Sequence, residues 1–196
     1  MNVNDCCDRN FKFRHTLLKD PRQVYRYKVL KYFVDSEPLS ISLGCGAYEP
    51  ILINTQYASD ISPNAENYLK QLGYKGKFIL ADVRNLPFVD KAFNVAICSE
   101  VIEHLPDPKS VISAFSEINR VAVNWLISTP AFPSPDPDHK IQFSKYLLDH
   151  ILDSLHLKNK SVIFKKDFYF YISNNEKRLF NALFKAKQDN TGWNIL

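Results

Sequence analysis

A chain of 196 residues, 45% hydrophobic and 23% charged, holds enough apolar material for one domain with a full core, and its net charge of +4 is too small to mark a polyanion-binding protein by itself. No apolar run reaches the ~20 residues of a membrane span, and no secretory h-region is expected. The four cysteines, Cys6 and Cys7 side by side with Cys45 and Cys98 isolated, match neither a zinc pattern nor a disulfide framework, so a reducing cytoplasmic setting is expected.

From Arg9 to Lys31 eight basic residues (Arg9, Lys12, Arg14, Lys19, Arg22, Arg26, Lys28, Lys31) face one acid, Asp20. Two readings stand open: a surface for anionic substrates, or a solvated helix face. Asp20-Pro21 is a helix start, an N-cap before a first-turn proline. Val24, Tyr27, Leu30 and Val34 then recur at helical spacing until Glu37-Pro38. Ile41 and Leu43 read as a short buried strand, and Gly44 and Gly46 as the tight bend leaving it, where a backbone without Cβ atoms can approach a nucleotide-like ligand.

The stretch from Gly46 to Asp60 is barely long enough for a parallel crossover and contains Pro50, so its helix is expected to be curtailed. Asp60 ends a second strand, where a carboxylate can accept from both ribose hydroxyls. Residues 64–72 read as a helix stopped by Gly73, 78–81 as a third strand closed by Asp82, and 93–98 as a fourth. Asp107-Pro108 repeats the helix start, with Val111, Ile112, Phe115, Ile118 and Val121 as its apolar stripe, before a fifth strand at 125–128. The loop between Thr129 and His139 holds Pro130, Pro133, Pro135 and Pro137, a semi-rigid lid or wall. Residues 143–157 form an amphipathic helix with Tyr146, Leu147, Ile151, Leu152 and Leu155 inward. Residues 161–164 and 168–172 form an antiparallel strand pair, and Leu179, Phe180, Leu183 and Phe184 a tail helix, packed or partner-binding. The expected organisation is a single domain over 1–196, with 1–36 a basic helical extension and 174–196 a tail.

Four pieces now stand in order: Ile41-Ser42-Leu43-Gly44-Cys45-Gly46, Tyr57-Ala58-Ser59-Asp60-Ile61-Ser62, Ala81-Asp82-Val83-Arg84-Asn85-Leu86-Pro87-Phe88, and the run from Phe93 through Ser99-Glu100-Val101-Ile102-Glu103-His104-Leu105. Over residues 39–143 the chain resembles the class I S-adenosylmethionine-dependent methyltransferases, type 11 group. The resemblance implies an α/β, Rossmann-like, seven-stranded and mostly parallel sheet with helices on both faces and its last strand antiparallel. It implies S-adenosyl-L-methionine as cofactor, with Gly44, Cys45 and Gly46 under its methionine. Asp60 and Ile61 would lie at the ribose, Asp82 and the Val83 N–H at the adenine beside a wall of Leu86, Pro87 and Phe88, and Glu100 at the methionine end. Three positions depart from the family pattern: Ser42 stands where an acid is usual, Tyr48 where a third glycine is usual, and Asn94 where an Asp is usual.

The acceptor is a separate question. Glu100, Glu103 and His104 fall at i, i+3 and i+4, and His139 follows the fifth strand on the same sheet edge. In the leading reading no metal is bound, and His104, His139 and Glu103 are the catalytic candidates for a small or medium-sized molecule. His104 or His139 then acts as general base, orients the acceptor, or caps a loop. The alternative takes Glu100, Glu103, His104 and His139 as ligands of a divalent cation. That set, with Ser128-Thr129-Pro130 and Asp138-His139-Lys140-Ile141-Gln142-Phe143, resembles the small-RNA 3′-terminal 2′-O-methyltransferases, which implies an RNA acceptor. A third reading is a non-catalytic subunit of the same fold. Methyl transfer is an in-line displacement, for which alignment supplies most of the acceleration, and a base is needed only where the acceptor must lose a proton. Phe132, Phe143 and Tyr146 are candidates for lining the pocket.

Overall fold

This computed structural model describes residues 3–35, 37–133, 136–157, 160–165, 167–173 and 176–191, and among them lie seven strands and seven α-helices. In order they are α1 (Val3–Leu17), α2 (Pro21–Val34), β1 (Ser40–Leu43), α3 (Glu49–Ile53), β2 (Tyr57–Asp60), α4 (Pro63–Gln71), β3 (Lys77–Leu80), β4 (Phe93–Ser99), α5 (Pro108–Val121), β5 (Ala122–Pro130), α6 (Lys145–Ser154), β6 (Lys160–Lys165), β7 (Phe168–Ser173) and α7 (Glu176–Gln188). The sheet order is β3-β2-β1-β4-β5-β7-β6. β1 to β5 run parallel, while β7 is antiparallel to both its neighbours. The order reverses direction beside β1, so the ends of β1 and β4 flank a switch point, where an open sheet leaves a crevice.

Parallel strands are buried on both faces, which is why they read as continuous apolar runs. Val95 and Ile97 of β4 face one core cluster, with α2, α3, α4 and α7; Ala96 and Cys98 face the other, with α5 and α6. Trp125, Phe115 and Tyr171 are fully buried in the second cluster.

The two Asp-Pro signals cap as read: Asp20 Oδ1 accepts from the Arg22 N–H at 2.8 Å, and Asp107 Oδ1 from the Ser110 N–H at 2.8 Å. α3 is curtailed to five residues, Glu49–Ile53, with Asn54 left-handed at φ 58° behind it. Two boundaries need correction. α2 stops at Val34 rather than at Glu37-Pro38, because Asp35 turns left-handed (φ 44°) and closes the helix onto the Lys31 carbonyl. α6 is shorter than 143–157, starting where Ser144 Oγ accepts from the Leu147 N–H at 3.2 Å. Its buried face is Leu148, Ile151 and Leu152, and Tyr146 points outward at 83% exposure. Pro135 and the last residues of the tail lie outside the described residues.

α7 packs along α2 and ties off its end. Arg178 donates to the Phe33 carbonyl, to the Val34 carbonyl at 2.8 Å and to Glu37 at 2.9 Å. A helix leaves its last carbonyls without intrahelical partners, and here a cation from another helix satisfies two of them. Arg178→Ala should therefore lower the unfolding free energy by about 1–3 kcal/mol in urea titration, the range for charged hydrogen bonds to buried groups. An unchanged denaturation midpoint would show that α7 does not hold α2 in place.

Candidate active site

A cleft of about 360 Å³ opens at the carboxyl ends of β1, β4 and β5, walled by the start of α2 and the loop after β5. Of the cofactor-binding and catalytic candidates, six line it: Gly44, Cys45, Gly46, Glu100, His104 and His139. Glu103 lies buried among them, 1% exposed. Asp60, Ile61, Asp82 and Val83 do not line this cleft. Asp60 adjoins it, because its Oδ2 accepts from the Gly46 N–H at 2.8 Å while Oδ1 accepts from the Ser62 N–H at 2.9 Å. Burial raises the Asp60 pKa and these backbone donors oppose the rise. Ile61 is exposed, Val83 is buried in the core, and Asp82 beyond β3 is held by Arg84 at 2.5 Å, which keeps its carboxyl below the usual range.

The two glycines of the bend serve different needs. Gly44 has φ +66°, and a Cβ there would come 2.5 Å from Val101 Cγ2, so packing excludes any side chain. Gly46 has φ +56° with nothing within 4 Å of its would-be Cβ, so the space beside its backbone is open.

A buried polar network that sequence reasoning missed lies behind the bend. Ser42 donates to Glu49 Oε1 at 2.6 Å, and Glu49 Oε2 lies 3.8 Å from the Arg26 guanidinium. Arg26 also bonds Ser99 Oγ and Gln23 Oε1, the latter at 2.8 and 3.0 Å, and stacks over Tyr27 and Phe168. Ser99 and Ser128, paired in register on β4 and β5, bond at 2.9 Å, and Ser128 Oγ reaches Glu100 Oε1 at 3.4 Å. Burial opposes the charge of Arg26, yet Tyr27, Glu100 and Glu49 together hold its pKa above the ordinary value. Burial pushes Glu49 up to about 7, against the pull of Arg26 and the Ser42 bond. The available signals were an acid in a curtailed helix and a serine where an acid was due. Neither says that the two side chains meet.

The second cluster follows β4. Glu100 is left-handed at φ 56°, an uncommon state for a residue with a side chain, and its N–H is fixed to the Ser128 carbonyl at 2.9 Å. A short 3₁₀ turn, Ile102–His104, then presents Glu103 and His104. The Glu103 carbonyl accepts from the Lys140 and Ile141 N–H groups at 2.7 and 3.1 Å, which draws the loop after β5 inward with His139. Glu103 Oε2 accepts from Thr129 Oγ1 at 3.2 Å, whereas Oε1, fully buried, has no partner among the described residues. Donor atoms of Glu103, His104 and His139 lie within 4.8 Å of one another. Glu100 is not part of that group and is instead drawn electrostatically to Arg26, so the four-ligand set is corrected to three.

Burial raises the pKa of Glu100, and burial together with the charge of Glu100 raises that of Glu103 well above the carboxylate range. Burial, then His139, lowers His104 to about 4, and burial lowers His139 as well. His104 Nδ1 lies 3.2 Å from the Asp138 carbonyl, which can only accept, so Nδ1 carries the proton and Nε2 is left with its lone pair. Phe132 lines the cleft although 55% exposed; Phe143, buried in the core, and the exposed Tyr146 do not.

Part of the basic stretch is turned inward or ion-paired, while Lys12, Lys19, Arg22 and Lys31 remain exposed. Arg9 pairs with Asp138, Arg22 with Asp20 at 2.8 Å, Arg26 sits in the network above, and Lys28 donates to the Asp189 and Thr191 carbonyls at 2.5 and 2.7 Å. Through Arg9, and through Phe11 stacked on Tyr68 at 4.0 Å, α1 bridges the loop after β5 and α4.

The Glu49 shift has a stability consequence. With the folded pKa near 7 and an ordinary value of 4.5, the folded state holds a proton that the unfolded state releases between those pH values. Its stabilising contribution is complete below about pH 4.5 and is lost as pH rises through about 7, amounting to about 3 kcal/mol at most. Glu49→Gln removes this dependence, so its unfolding free energy relative to wild type should rise between pH 4.5 and 8. A pH-independent difference in denaturant titrations would place Glu49 at its ordinary pKa.

Residues 39–124 match the family model described as a methyltransferase domain. Among solved structures, a protein of Methanococcus maripaludis assigned as an S-adenosyl-L-methionine-dependent methyltransferase is 17% identical with a TM-score of 0.67, over 87% of this chain and 92% of that one. A SAM-dependent methyltransferase from Aquifex aeolicus is 21% identical with a TM-score of 0.58, over 79% of this chain and 93% of its own. Magnesium protoporphyrin IX methyltransferase from Synechocystis PCC 6803, with bound SAM, is 17% identical with a TM-score of 0.57, over 80% and 84%. At such identities these likenesses establish a shared fold. A search of curated protein sequences finds no match.

Proposed function

Since the chain carries a class I S-adenosylmethionine-dependent methyltransferase domain of the type 11 group, we propose that it transfers the cofactor's methyl group to a small or medium-sized acceptor in the cleft beside His104 and His139. One observation carries this reading: the open side of Gly46 and two imidazoles held neutral by burial share one cavity. The residues present suit the cofactor. A backbone without side-chain cover lies at the bend, and a carboxylate and a guanidinium stand in the same wall. Gly44, Cys45 and Gly46 would lie under the methionine, with Glu100 at its end. Asp60, steered by two backbone donors, keeps oxygen lone pairs for ribose hydroxyls, with Ile61 beside it. Asp82 and the Val83 N–H would serve the adenine.

S-adenosyl-L-methionine supplies a methyl group activated on a sulfonium. The chain's own residues align the acceptor and handle its proton. His104, with Nδ1–H committed to Asp138 and a pKa near 4, orients a hydroxyl or amine through Nε2 without holding a proton at neutral pH. His139 is the less buried imidazole and takes the proton. Glu103, kept neutral, contributes a hydrogen-bond donor rather than a base. Calorimetry should register binding of S-adenosylhomocysteine, and Asp60→Ala should weaken it by about 10–100-fold, as loss of charge-assisted bonds does. No heat from the wild type at millimolar ligand would leave only a non-catalytic scaffold.

A second reading has its own observation. The donor atoms of Glu103, His104 and His139 converge within 4.8 Å, and a carboxylate oxygen among them is otherwise unpartnered. Neutral imidazoles and a carboxylate suit a divalent transition metal. With such an ion, an RNA 3′-terminal ribose becomes the acceptor, although Arg9, Arg22, Arg26 and Lys28 are already engaged within the fold. Under this reading Mn²⁺ raises the melting temperature of the wild type but not of His139→Ala, and methylation of an RNA 3′ end is abolished by EDTA. Methyl transfer indifferent to EDTA removes this reading and retains the first.

A further inference from the structure

Two opposite charges stand side by side in the wall of the cleft, next to the glycine bend. The Glu49 carboxylate and the Arg26 guanidinium are 5% and 3% exposed and 3.8 Å apart, and both residues line the cavity together with Gly44, Cys45 and Gly46. Their other hydrogen bonds are to neutral groups: Ser42 donates to Glu49 Oε1, and Arg26 donates to Ser99 Oγ and Gln23 Oε1. The ion pair itself is long at 3.8 Å, so the two charges attract each other without a direct hydrogen bond, and each keeps bonding capacity for a further partner. A buried pair held apart in this way is costly unless further partners complete it. The complementary ligand carries a cationic and an anionic group on one carbon, which is the chemistry of a free α-amino acid group.

We infer that Glu49 and Arg26 form the receptor for the zwitterionic amino acid end of the cofactor, Glu49 binding its ammonium and Arg26 its carboxylate. This rests on the methyltransferase reading above and adds a recognition role for two residues outside the sequence motifs. Ser42 is a positioning residue, its hydroxyl fixing the Glu49 rotamer from 2.6 Å away. That closeness gives a relocation test, since a carboxylate introduced at position 42 would arise about one hydrogen bond from the present one.

The experiment compares two probes by titration calorimetry. S-adenosylhomocysteine carries the amino acid group, whereas 5′-methylthioadenosine keeps the nucleoside and sulfur but lacks it. Glu49→Gln should weaken S-adenosylhomocysteine by about 10–100-fold, the loss of a charge-assisted bond, and leave methylthioadenosine within twofold. The double variant Ser42→Asp/Glu49→Gln should recover most of the lost affinity, and melting curves verify that each variant is folded. Equal weakening of both probes by Glu49→Gln would reduce Glu49 to a structural prop and overturn the proposal, as would unchanged binding of both. Wild-type protein that binds neither probe would sink the methyltransferase reading itself, an outcome distinct from either of these.

Discussion

The architecture of the cleft depends on one buried cation. Arg26 leaves α2 and enters a space bounded by Glu49, Ser99, Glu100 and the rings of Tyr27 and Phe168. A guanidinium cannot shed its proton when buried, so the surroundings must compensate it where it lies. Compensation comes from the start of α3, the end of β4 and the start of β7, elements far apart in the chain. The cation therefore fixes α2 against the carboxyl edge of the sheet. Two carboxyls near it, Glu49 and Glu100, feel the opposite pressure: burial raises both and Arg26 lowers both. Glu103, further along the same edge, has the charge of Glu100 added to its burial and rises furthest into neutrality.

What could be read from the sequence follows the range of the interactions. β1, β4 and β5 declared themselves because parallel strands buried on both faces leave apolar runs, and α2 and α5 because Asp-Pro capping is settled within three residues. The glycine bend and the acid ending β2 were legible for the same reason. Side-chain partners were not. Arg9 meets Asp138 and Lys28 meets the Asp189 carbonyl, each across most of the chain, so a local count of charge from Arg9 to Lys31 could not tell these internal partners from surface cations. α6 went astray for a different reason. Its apolar residues nearly encircle the helix, and periodicity alone cannot say that Leu148 faces the core and Tyr146 the solvent.

Ser42 and Glu49 show the limit most clearly. The first was read as a lost acid and the second passed over as part of a shortened helix, yet the shortening is what brings them together. Five residues of α3 leave Tyr48 to bury its ring beside Tyr27, with the two hydroxyls 3.4 Å apart, and turn Glu49 under β1. A carboxylate seven residues downstream thereby reaches the end of the strand from which the sequence had removed one.

The turn after β4 works by the same economy of position. Glu100 in a left-handed conformation ends β4 abruptly, and Val101 then covers Gly44 so closely that only glycine fits. The bend and the turn fix each other, and the Glu103 carbonyl passes that order to the loop bearing His139. Because Lys140 and Ile141 both donate to this one carbonyl, a change that moved Glu103 would shift the second imidazole with it. His104 and His139 lie edge to face at 4.8 Å between ring centres, and the His104 ring is set by its bond to the Asp138 carbonyl. Burial lowers the pKa of both imidazoles, and the nearby Asp136 carboxylate opposes this only in part. Under the proposed methyl transfer, imidazoles of lowered pKa suit alignment of an acceptor more than removal of its proton.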